Sequence, residues 1–451
     1  MKKASLLNDY LKRYATGHPW TLQAGSVENI EQIVVIPAYA EKDLLFTTLA
    51  SIADNPHTLL ETSLILCVVN HKAAAPDDDK ENNAQTLQIL NALIHQKPFS
   101  PFNCNGDVRK ALQRVAESPL RLGSMDASSP GLEIPPHLGG VGMARKIGMD
   151  MALRLLGNSV NPPRLVLSLD ADTVVEPNYL TAVRNAFISG KAQTGIVAYA
   201  HQMPADDLER IAICSYEIFL RYWVLGLQYA QSPYAFHSIG STIVSTADSY
   251  LAVRGMNRRE AGEDFYFLNK LAKISPIQQI RETIVYPSAR VSRRVPFGTG
   301  VAIEKIVSGQ KSDPLLYDPQ IFVILKKWIH LMKDSSHRNP DRIIILAREI
   351  HEGLGAFLMT RGFLQIWTKI RNHVKNQKTY DRQFHTWFDG FETLKLVNYL
   401  TREYYPRVPQ QAALETMIKM QDRKYPDGLI DQNSPTLQNQ IRMLNYLRGV
   451  T

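Results

Sequence analysis

The apolar and polar positions of the chain follow different patterns on the two sides of residue 300. Before it, short β-branched and aliphatic runs, bounded by polar or turn-forming residues, alternate with longer stretches of helical character. The runs that we predict as buried strands are Gln32–Ile36, Leu64–Val69, Leu165–Leu169, Gly195–Tyr199 and Thr283–Tyr286. Strands separated by helices in this way indicate an α/β fold, with a mainly parallel sheet between layers of helices.

After residue 300 the strand pattern fades and helix-start signals become clear. Asn339-Pro340 and Ser434-Pro435 each place a capping side chain directly before a proline, which is favoured at the first helical position. We therefore predict an N-terminal helical segment over residues 1–29, an α/β domain over 30–300 and an all-helical C-terminal extension over 301–451.

A long connection separates the second and third predicted strands. It contains the polar run Ala75–Asn83, a predicted helix over Ala84–Gln96 and a stretch rich in proline and glycine over Ser128–Gly142. Connections of this length are usually functional lids or disordered insertions. We predict a long insertion, with loop character, over residues 75–140.

The composition is that of a globular protein, with 45% apolar residues among 451. Its three cysteines are scattered along the chain, which argues against a disulfide framework or a zinc knuckle and favours a reducing compartment. Charged residues interrupt the N-terminal segment where a secretion signal would be apolar, and the most apolar later stretches fall short of the roughly 20 residues needed to cross a bilayer. We expect a cytoplasmic protein and leave open peripheral contact with the inner face of a membrane.

The formal net charge of +8 lies mostly in the C-terminal third, where Val301–Thr451 holds 22 Lys and Arg against 15 Asp and Glu. Clustered positive charge attracts phosphates, anionic lipid or nucleic acid, although a solvated helical surface has the same composition. The amphipathic stretches of this region, such as Leu315–Met332, are typical of helices that pack on a neighbouring domain. We expect no nucleic-acid partner, and a phosphorylated or lipid-linked acceptor stays open.

Polar side chains follow the predicted carboxyl ends of three strands, which is where open α/β sheets bind their ligands. At the first strand, Pro37 is expected to stop the strand, and Tyr39 and Glu41 lie just beyond it. The second strand ends in Asn70, and the third runs into the sequence Asp-Ala-Asp. These three strand ends could converge on one site.

Asp170 and Asp172 point to a divalent cation. Side chains two residues apart in extended chain share a face, and neighbouring carboxylates repel each other unless a cation neutralises them. Hard oxygen ligands suit Mg²⁺ or Mn²⁺, which in proteins commonly also bind substrate phosphates. The alternative interpretation is structural, with the two aspartates capping a helix that begins at Pro177.

Two further segments carry candidate chemistry. In His137–Asp150, glycines precede a predicted helix with Arg145 and Lys146, so that backbone amides and two cations are available for phosphate, although an ordinary glycine loop has the same composition. Further on, Glu263 and Asp264 stand at a predicted helix start, where the helix dipole keeps a carboxylate ionised, as a general base must be. Simple helix capping explains the same pair.

Taken together, these segments resemble family 2 glycosyltransferases and their relatives with the GT-A fold. VVIPAYAE, SLDADT, GVGMARKIGMD and GEDF occur in the order and approximate spacing of that family, over roughly residues 30–300. The resemblance implies a GT-A-like sheet and the transfer of a sugar from a nucleotide-diphosphate donor to an acceptor hydroxyl. The acceptor is left open as a glycan, a lipid-linked molecule or a small molecule.

The resemblance also implies roles for individual residues. Asp172 would hold the Mn²⁺ or Mg²⁺ ion and Asp170 would contact both the donor and the metal, while Asp264, in the pair with Glu263, would be the base of an inverting reaction. The donor would be bound further by Pro37, Tyr39, Glu41, Asn70, Arg145 and Lys146.

This chain departs from the family in four places. It has Ala40 where asparagine is common, and VVNHKAAA where an acidic segment commonly follows the second strand. It also has Lys146 where asparagine is common, and no Q-x-x-R-W motif. In place of that motif it has SARVSRRVPFGTG, where Arg293 and Arg294 could close over the diphosphate or simply be solvated. His237 is a candidate for a further metal ligand, although a core histidine is the more ordinary interpretation.

Three other functions remain open at this stage. A retaining GT-A enzyme would use the same donor class without the base. A haloacid-dehalogenase-type phosphatase would use Asp170 as nucleophile and Asp172 as acid and base, although that motif usually opens the catalytic domain. A non-catalytic binder with a decayed site would have lost Asp172 or Asp264, and both are present.

Overall fold

The computed structural model describes most of the chain. The described residues are 2–17, 19–97, 105–138, 140–157, 163–190, 192–290, 300, 304, 315–374, 376–425 and 436–451. Arg293, Arg294, Gly139 and the predicted helix start at Ser434-Pro435 lie outside these ranges.

The described helices are α1 Lys2–Arg13, α2 Lys42–Ala53, α3 His57–Leu60, α4 Asp77–Ile94, α5 Gly106–Glu117, α6 Gly140–Leu156, α7 Tyr179–Ile188, α8 Asp207–Tyr229, α9 Ala247–Ala252, α10 Glu263–Ala272, α11 Pro319–Lys333, α12 Pro340–Ile350, α13 Glu352–Thr360, α14 Phe363–Arg371, α15 Gln377–Trp387, α16 Gly390–Glu403, α17 Gln410–Lys419 and α18 Leu437–Val450. The described strands are β1 Leu22–Ala24, β2 Gln32–Ala38, β3 Ser63–Asn70, β4 Arg121–Ala127, β5 Leu165–Ser168, β6 Val174–Val175, β7 Thr194–Tyr199, β8 Ile243–Thr246, β9 Gln278–Tyr286, β10 Leu315–Leu316 and β11 Val408–Pro409. Within the described ranges, no helix combines the length and the apolar character that a membrane span needs.

The described chain divides into two compact units. The α/β unit comprises the described residues through Gln202 together with Ser238–Ser288, and the helical unit comprises Met203–His237 and the described residues after Ser288. The prediction placed all of 30–300 in one domain, whereas the structure groups α8 with the C-terminal helices. α8 carries its own apolar face, which the sequence pattern did not assign to the later helices.

The α/β unit is built on a mixed sheet with the strand order β1-β4-β3-β2-β5-β8-β7-β9-β6. Strands β4, β3, β2 and β5 are mutually parallel, β7 is parallel to β9, and β1, β8 and β6 pair antiparallel with their neighbours. Every residue of β2 and β3 is buried, which is why both read as unbroken apolar runs. The predicted α/β fold with a mainly parallel sheet and a helical C-terminal region is confirmed.

Two predictions about the early chain need correction. Pro37 does not stop its strand, because β2 continues to Ala38 and pairs with β3 through Pro37. The strand tolerates this proline because β5 pairs with β2 only as far as Val35, so Pro37 has a hydrogen-bonded neighbour on one side. The predicted long insertion over residues 75–140 is mostly regular structure and contains α4, α5 and β4. Strand β4 pairs with β3 and is part of the main sheet.

Helix α6 packs directly on the central strands. A Cβ atom at Gly148 would lie 2.4 Å from Val35 Cγ1 and 2.8 Å from Val68 Cγ2, so only glycine allows this close approach. This contact fixes the rotation of α6 about its axis. Residue 145 lies about one helical turn before Gly148, toward the N-terminus of the helix.

The helical unit has its own core, to which α8 contributes Cys214, Ile218, Tyr222 and Leu225. Around Trp328 of α11, the rings of Phe363, Phe384 and Phe388 pack edge-on at 5.8–5.9 Å between centroids. Asn339 caps α12 by accepting a 2.8 Å hydrogen bond from the amide of Asp341, which confirms the helix start predicted at Asn339-Pro340.

A buried ion cluster joins α8 to α18 within the helical unit. Glu217 is fully buried and accepts from Arg221 Nε at 2.8 Å. Arg448 binds the same carboxylate with two nitrogens, at 2.8 and 2.9 Å. Two guanidinium groups therefore neutralise one carboxylate in the interior of the unit.

Candidate active site

The carboxyl ends of β3, β2 and β5 lie side by side, because these strands are parallel neighbours in that order. The residues that follow them are the ones predicted from the sequence: Tyr39 after β2, Asn70 at the end of β3, and Asp170 after β5. Open α/β sheets bind their ligands at this edge. The three chain segments, which lie between residues 39 and 170 of the sequence, form one edge of the α/β unit.

The loop after β2 is held by the first turns of α4. Tyr39 donates a 2.5 Å hydrogen bond to Asp79, and the amide of Ala40 donates to Asn83 Oδ1 at 2.9 Å. Ala40 has a φ of 53°, in the left-handed region that costs energy for a residue with a side chain. The hydrogen bond that the Ala40 amide donates to Asn83 supports this conformation and shapes the loop.

Asn83 also fixes the end of β3. Its amide nitrogen lies 3.0 Å from the carbonyl oxygen of Asn70 and 3.0 Å from His71 Nδ1. Asn70 in turn donates to the carbonyl of Ala38 at 3.1 Å, which ties the ends of β2 and β3 together. Burial lowers the pKa of the His71 imidazole. These contacts leave Asn70 5% exposed, so its side chain is engaged in holding the two strand ends.

Asp170 lies between an arginine and a serine. Arg145 of α6 donates from Nη2 to Asp170 Oδ1, and Ser241 donates to Asp170 Oδ2 at 2.5 Å. The side chain of Asp170 keeps 32% of its surface exposed, whereas that of Arg145 keeps 4%. The carboxylate therefore reaches the surface while both of its oxygens are oriented by the protein.

Asp172 follows in a turn that the backbone closes at Thr173, whose amide donates to the carbonyl of Asp170 at 3.1 Å. Gln202 donates to the backbone carbonyl of Asp172 at 3.1 Å, and the residue is partly exposed. Neither aspartate caps the next helix, because α7 begins at Tyr179 with Asn178 at its N-cap position. Pro177 therefore does not begin that helix, and the helix-capping interpretation of the aspartates is wrong.

The acidic pair starts α10 as predicted, directly after Gly262, whose φ is 70°. Glu263 is buried and accepts from Arg145 Nε at 3.0 Å, so one arginine contacts both acidic motifs. Burial, and then the charge of Glu263, raise the pKa of Asp264 to about 7, against a smaller lowering by Arg145. A carboxylate with such a pKa accepts and releases protons near neutral pH.

Lys146 has a different environment from the predicted one. Its Nζ lies 3.0 Å from Asp150 Oδ2 and 3.0 Å from the hydroxyl of Tyr10, in a buried cluster that also includes Tyr250. Burial lowers the pKa of this lysine, and Asp150 opposes the shift. The structure therefore places Lys146 in contact with α1 rather than at the D-x-D turn.

The remaining predicted residues divide as follows. Glu41 is buried directly before α2, and its carbonyl accepts from the amides of Leu44 and Leu45. His237 is buried in the helical unit. Among the described residues, no three His, Cys, Asp or Glu side chains are grouped closely enough to hold a metal ion by themselves.

Sequence reasoning missed the residues that support the predicted ones. Ser168 and Gly240 contact the guanidinium of Arg145, and Ser241 holds Asp170. Asp79 and Asn83 belong to the polar run that was taken as part of a loop. Asp77, Asp78 and Asp79 form the first turn of α4, and acidic residues are favoured there, so a helix start was the available signal.

No family model and no curated protein matches the chain. Solved structures do match. S. aureus TarS 1-349 in complex with UDP-GlcNAc aligns over 89% of this chain and 95% of its own, at 12% identity and a TM-score of 0.38. The mannosyltransferase PcManGT from Pyrobaculum calidifontis, in complex with GDP-Man and Mn²⁺, aligns over 89% of this chain and 93% of its own, at 13% identity and a TM-score of 0.35. Because the identities and TM-scores are this low, a chemical activity has to be argued from the site residues.

Proposed function

We propose that the α/β unit transfers a sugar from a nucleotide-diphosphate donor to an acceptor hydroxyl. The observation that carries the proposal is the single arginine that contacts both acidic motifs at the carboxyl ends of the strands. A metal-binding turn and a general base must lie on two sides of the reacting carbon in such a transfer. Arg145 contacts both Asp170 of one motif and Glu263 of the other. Arg145 and Glu263 are 118 positions apart in the sequence.

The D-x-D turn suits a hard divalent cation. Asp172 is partly exposed, and Asp170, although oriented by Arg145 and Ser241, still reaches the surface. Mg²⁺ and Mn²⁺ are typically held by one or two carboxylates together with substrate phosphates and water, so a cluster of three protein ligands is not required. When bound, such an ion stabilises the negative charge of the departing diphosphate.

The residues of the chain then have distinct roles in the reaction. Asp172 would hold the cation and so orient the diphosphate, and the loop over Tyr39 and Ala40 contacts the nucleoside. Asp264 takes the proton of the acceptor hydroxyl as its oxygen forms a bond to the anomeric carbon. The bond from that carbon to the diphosphate oxygen breaks, and attack from the opposite face inverts the configuration.

A pKa near 7 favours Asp264 as this base. A carboxylate of ordinary pKa is a weak base, whereas one that titrates near the working pH is ionised and still able to take a proton. A retaining enzyme of the same donor class has no such requirement. The phosphatase alternative is disfavoured, because Asp170, its nucleophile, has one oxygen bound to Arg145 and the other to Ser241.

The test is a screen of UDP-sugars and GDP-sugars for protection against thermal unfolding, with and without Mn²⁺. A ligand that binds only the folded state stabilises it by about 2.7 kcal/mol at 100 times its Kd. We expect at least one sugar donor to raise the melting temperature, and more so with Mn²⁺. Hydrolysis of phosphate monoesters without protection by any nucleotide sugar would overturn the proposal.

A matched pair of variants tests the metal carboxylate. Asp172→Asn is expected to lose the Mn²⁺-dependent part of donor protection and to keep the unfolding temperature of the free protein. Asp107→Asn, at an exposed aspartate at the start of α5, should behave as the parent protein. Full Mn²⁺-dependent protection in Asp172→Asn would exclude this residue as the metal ligand.

A further inference from the structure

We propose that Arg145 is a positioning residue that locks the D-x-D turn to the acidic pair, and that it does not bind the donor diphosphate. The proposal rests on the proposed function, because the two motifs that it joins are those of the transfer reaction. It departs from the role that the sequence resemblance implies for this arginine, which is a direct contact with ribose or phosphate.

All three nitrogens of the guanidinium already have protein partners. Nε donates to Glu263 at 3.0 Å, Nη1 donates to Ser168 at 2.5 Å and lies 3.4 Å from the carbonyl of Gly240, and Nη2 donates to Asp170. The side chain is 4% exposed. A buried guanidinium with protein partners on all three nitrogens offers little surface to a diphosphate.

The pocket around the guanidinium is closed by a residue without a side chain. A Cβ atom at Gly240 would lie 2.2 Å from Nη2 and 2.9 Å from Cζ of Arg145. The arginine head is held on its other sides by Ser168, Asp170 and Glu263, so it cannot move aside without losing a partner. The position of the Arg145 side chain therefore requires a glycine at residue 240. This steric requirement explains the glycine without a bound ligand.

Two partners of Arg145, Asp170 and Glu263, belong to the two motifs of the proposed reaction. Asp170 is fixed on its second oxygen by Ser241, whose hydroxyl lies 3.0 Å from Thr173, so the turn that presents Asp172 is held at both ends. Glu263 is the first residue of α10, and Asp264 is the second. Moving the guanidinium would therefore shift both motifs together.

Lysine cannot replace arginine in this role. The arginine uses three nitrogens in a fixed plane to reach groups on three different segments, whereas a lysine has one nitrogen on a flexible stem. Lysine is, however, a good phosphate ligand. The variant Arg145→Lys therefore separates positioning from phosphate binding.

The experiment measures the affinity of UDP and of uridine, and of GDP and of guanosine, for the parent protein and for Arg145→Lys, together with sugar-transfer turnover. We expect the gain in affinity from the diphosphate to stay within about twofold of the parent protein, and turnover to fall by about 10²-fold, as displaced catalytic groups do. Arg154→Lys, at an exposed arginine of the same helix, should change neither quantity.

A direct phosphate contact would give a different result. Because lysine also binds phosphate, both the affinity gain from the diphosphate and turnover at saturating donor would then stay near those of the parent protein in Arg145→Lys, and the proposal would be wrong. Gly240→Ala provides a second variant that leaves every charge in place. It should lower turnover with the affinity gain unchanged, whereas Gly106→Ala, where a Cβ atom meets nothing within 4 Å, should be neutral.

A measurement of thermal unfolding on the protein without ligand tests this inference separately from the proposed function. Asp170→Asn and Glu263→Gln are combined in a double-mutant cycle of thermal unfolding without ligand. Because both residues share one arginine, we expect the shifts in melting temperature to be non-additive. Additive shifts would overturn the coupling, whereas failure of UDP, GDP and their sugars to bind the parent protein would overturn only the proposed function.

Discussion

The two units of the protein each bury a cluster of arginine and carboxylate, and the clusters have opposite composition. In the α/β unit, Arg145 is paired with two acids, Asp170 and Glu263, and two further acids follow in the same motifs. In the helical unit, Glu217 is paired with two arginines, Arg221 and Arg448.

The two clusters also differ in how they reach the surface. Asp170 keeps 32% of its side chain exposed, whereas Glu217 keeps none. Burial of an ion pair is therefore not what marks a functional site in this chain. The α/β cluster is distinguished by an excess of negative charge at an open sheet edge, where a cation and a substrate can enter. In the helical cluster the fully buried Glu217 is contacted by two arginines, Arg221 and the partly exposed Arg448.

The strongest test of this difference is Asp264→Asn. If the α/β cluster is catalytic, loss of the base should lower turnover by up to about 10⁴-fold, or about 5.5 kcal/mol, with donor affinity unchanged. Stability should not fall. A carboxyl with a folded-state pKa of about 7, above its unfolded value, makes the fold less stable as pH rises between those two values.

The unfolding temperature of Asp264→Asn at about pH 8 should therefore equal or exceed that of the parent protein, because the variant no longer has a charge to bury. Turnover and melting temperature are measured on the same preparations. Parent-like turnover in Asp264→Asn would remove this residue from the mechanism and leave the retaining alternative.

The next largest effect is expected in the helical cluster, where a substitution should lower stability rather than turnover. Glu217→Gln removes the buried negative charge that Arg221 and Arg448 both contact, and removing one partner of a buried pair costs about 3–5 kcal/mol of stability. Denaturant unfolding measures this loss. Glu415→Gln, which breaks the exposed pair with Lys419, should cost no more than about 0.5 kcal/mol. Equal losses of unfolding free energy in the two variants would mean that the burial of Glu217 does not make its ion cluster more important for stability than an exposed pair.

A smaller effect should separate binding from catalysis inside the α/β unit. Asn83→Ala removes the side chain that holds the amide of Ala40 and the end of β3. Leaving these buried groups unsatisfied should cost about 2 kcal/mol of stability and raise the donor Kd by roughly tenfold, with turnover at saturation unchanged. Asn91→Ala, later on the same helix, is the control. A change in turnover alone would show that α4 acts on the chemistry rather than on the nucleoside loop.

The smallest predicted effect is on pH dependence. With Asp264 as the base, turnover should rise with pH and level off above about 7, because the ionised carboxylate is the active form. At about pH 6 it should be roughly tenfold lower, a difference of about 1.4 kcal/mol. A turnover profile that is flat between about pH 5 and 8 contradicts the assignment of the base.

The residues that could be predicted from the sequence are those whose local pattern has one structural meaning. β2 and β3 are buried on both faces, so their apolar runs identified them. β4 was missed because RLGSMDA has no apolar run and no clear alternation, although most of it is buried beside β3. Its place in the sheet depends on a long-range partner that no local pattern reports.

The same limit applies to the site. Arg145 and Lys146 were predicted to act together, yet neighbouring positions on a helix point about 100° apart, so one faces Asp170 and the other faces Asp150. The sequence shows that α6 carries two cations, but it does not show the rotation of the helix, which the packing of Gly148 on β2 and β3 determines.

Helix α8 has a consequence for how the protein is made. It leaves the ribosome well before α11 and long before α18, with which its buried Cys214, Ile218 and Tyr222 share a core. Domains generally fold during synthesis from the N-terminus, and apolar surface exposed in the meantime promotes aggregation. The nascent chain therefore carries α8 without its full set of core partners until α18 has been translated. A truncation near residue 300 would make that transient state permanent, and we expect such a fragment to require a chaperone to remain in solution.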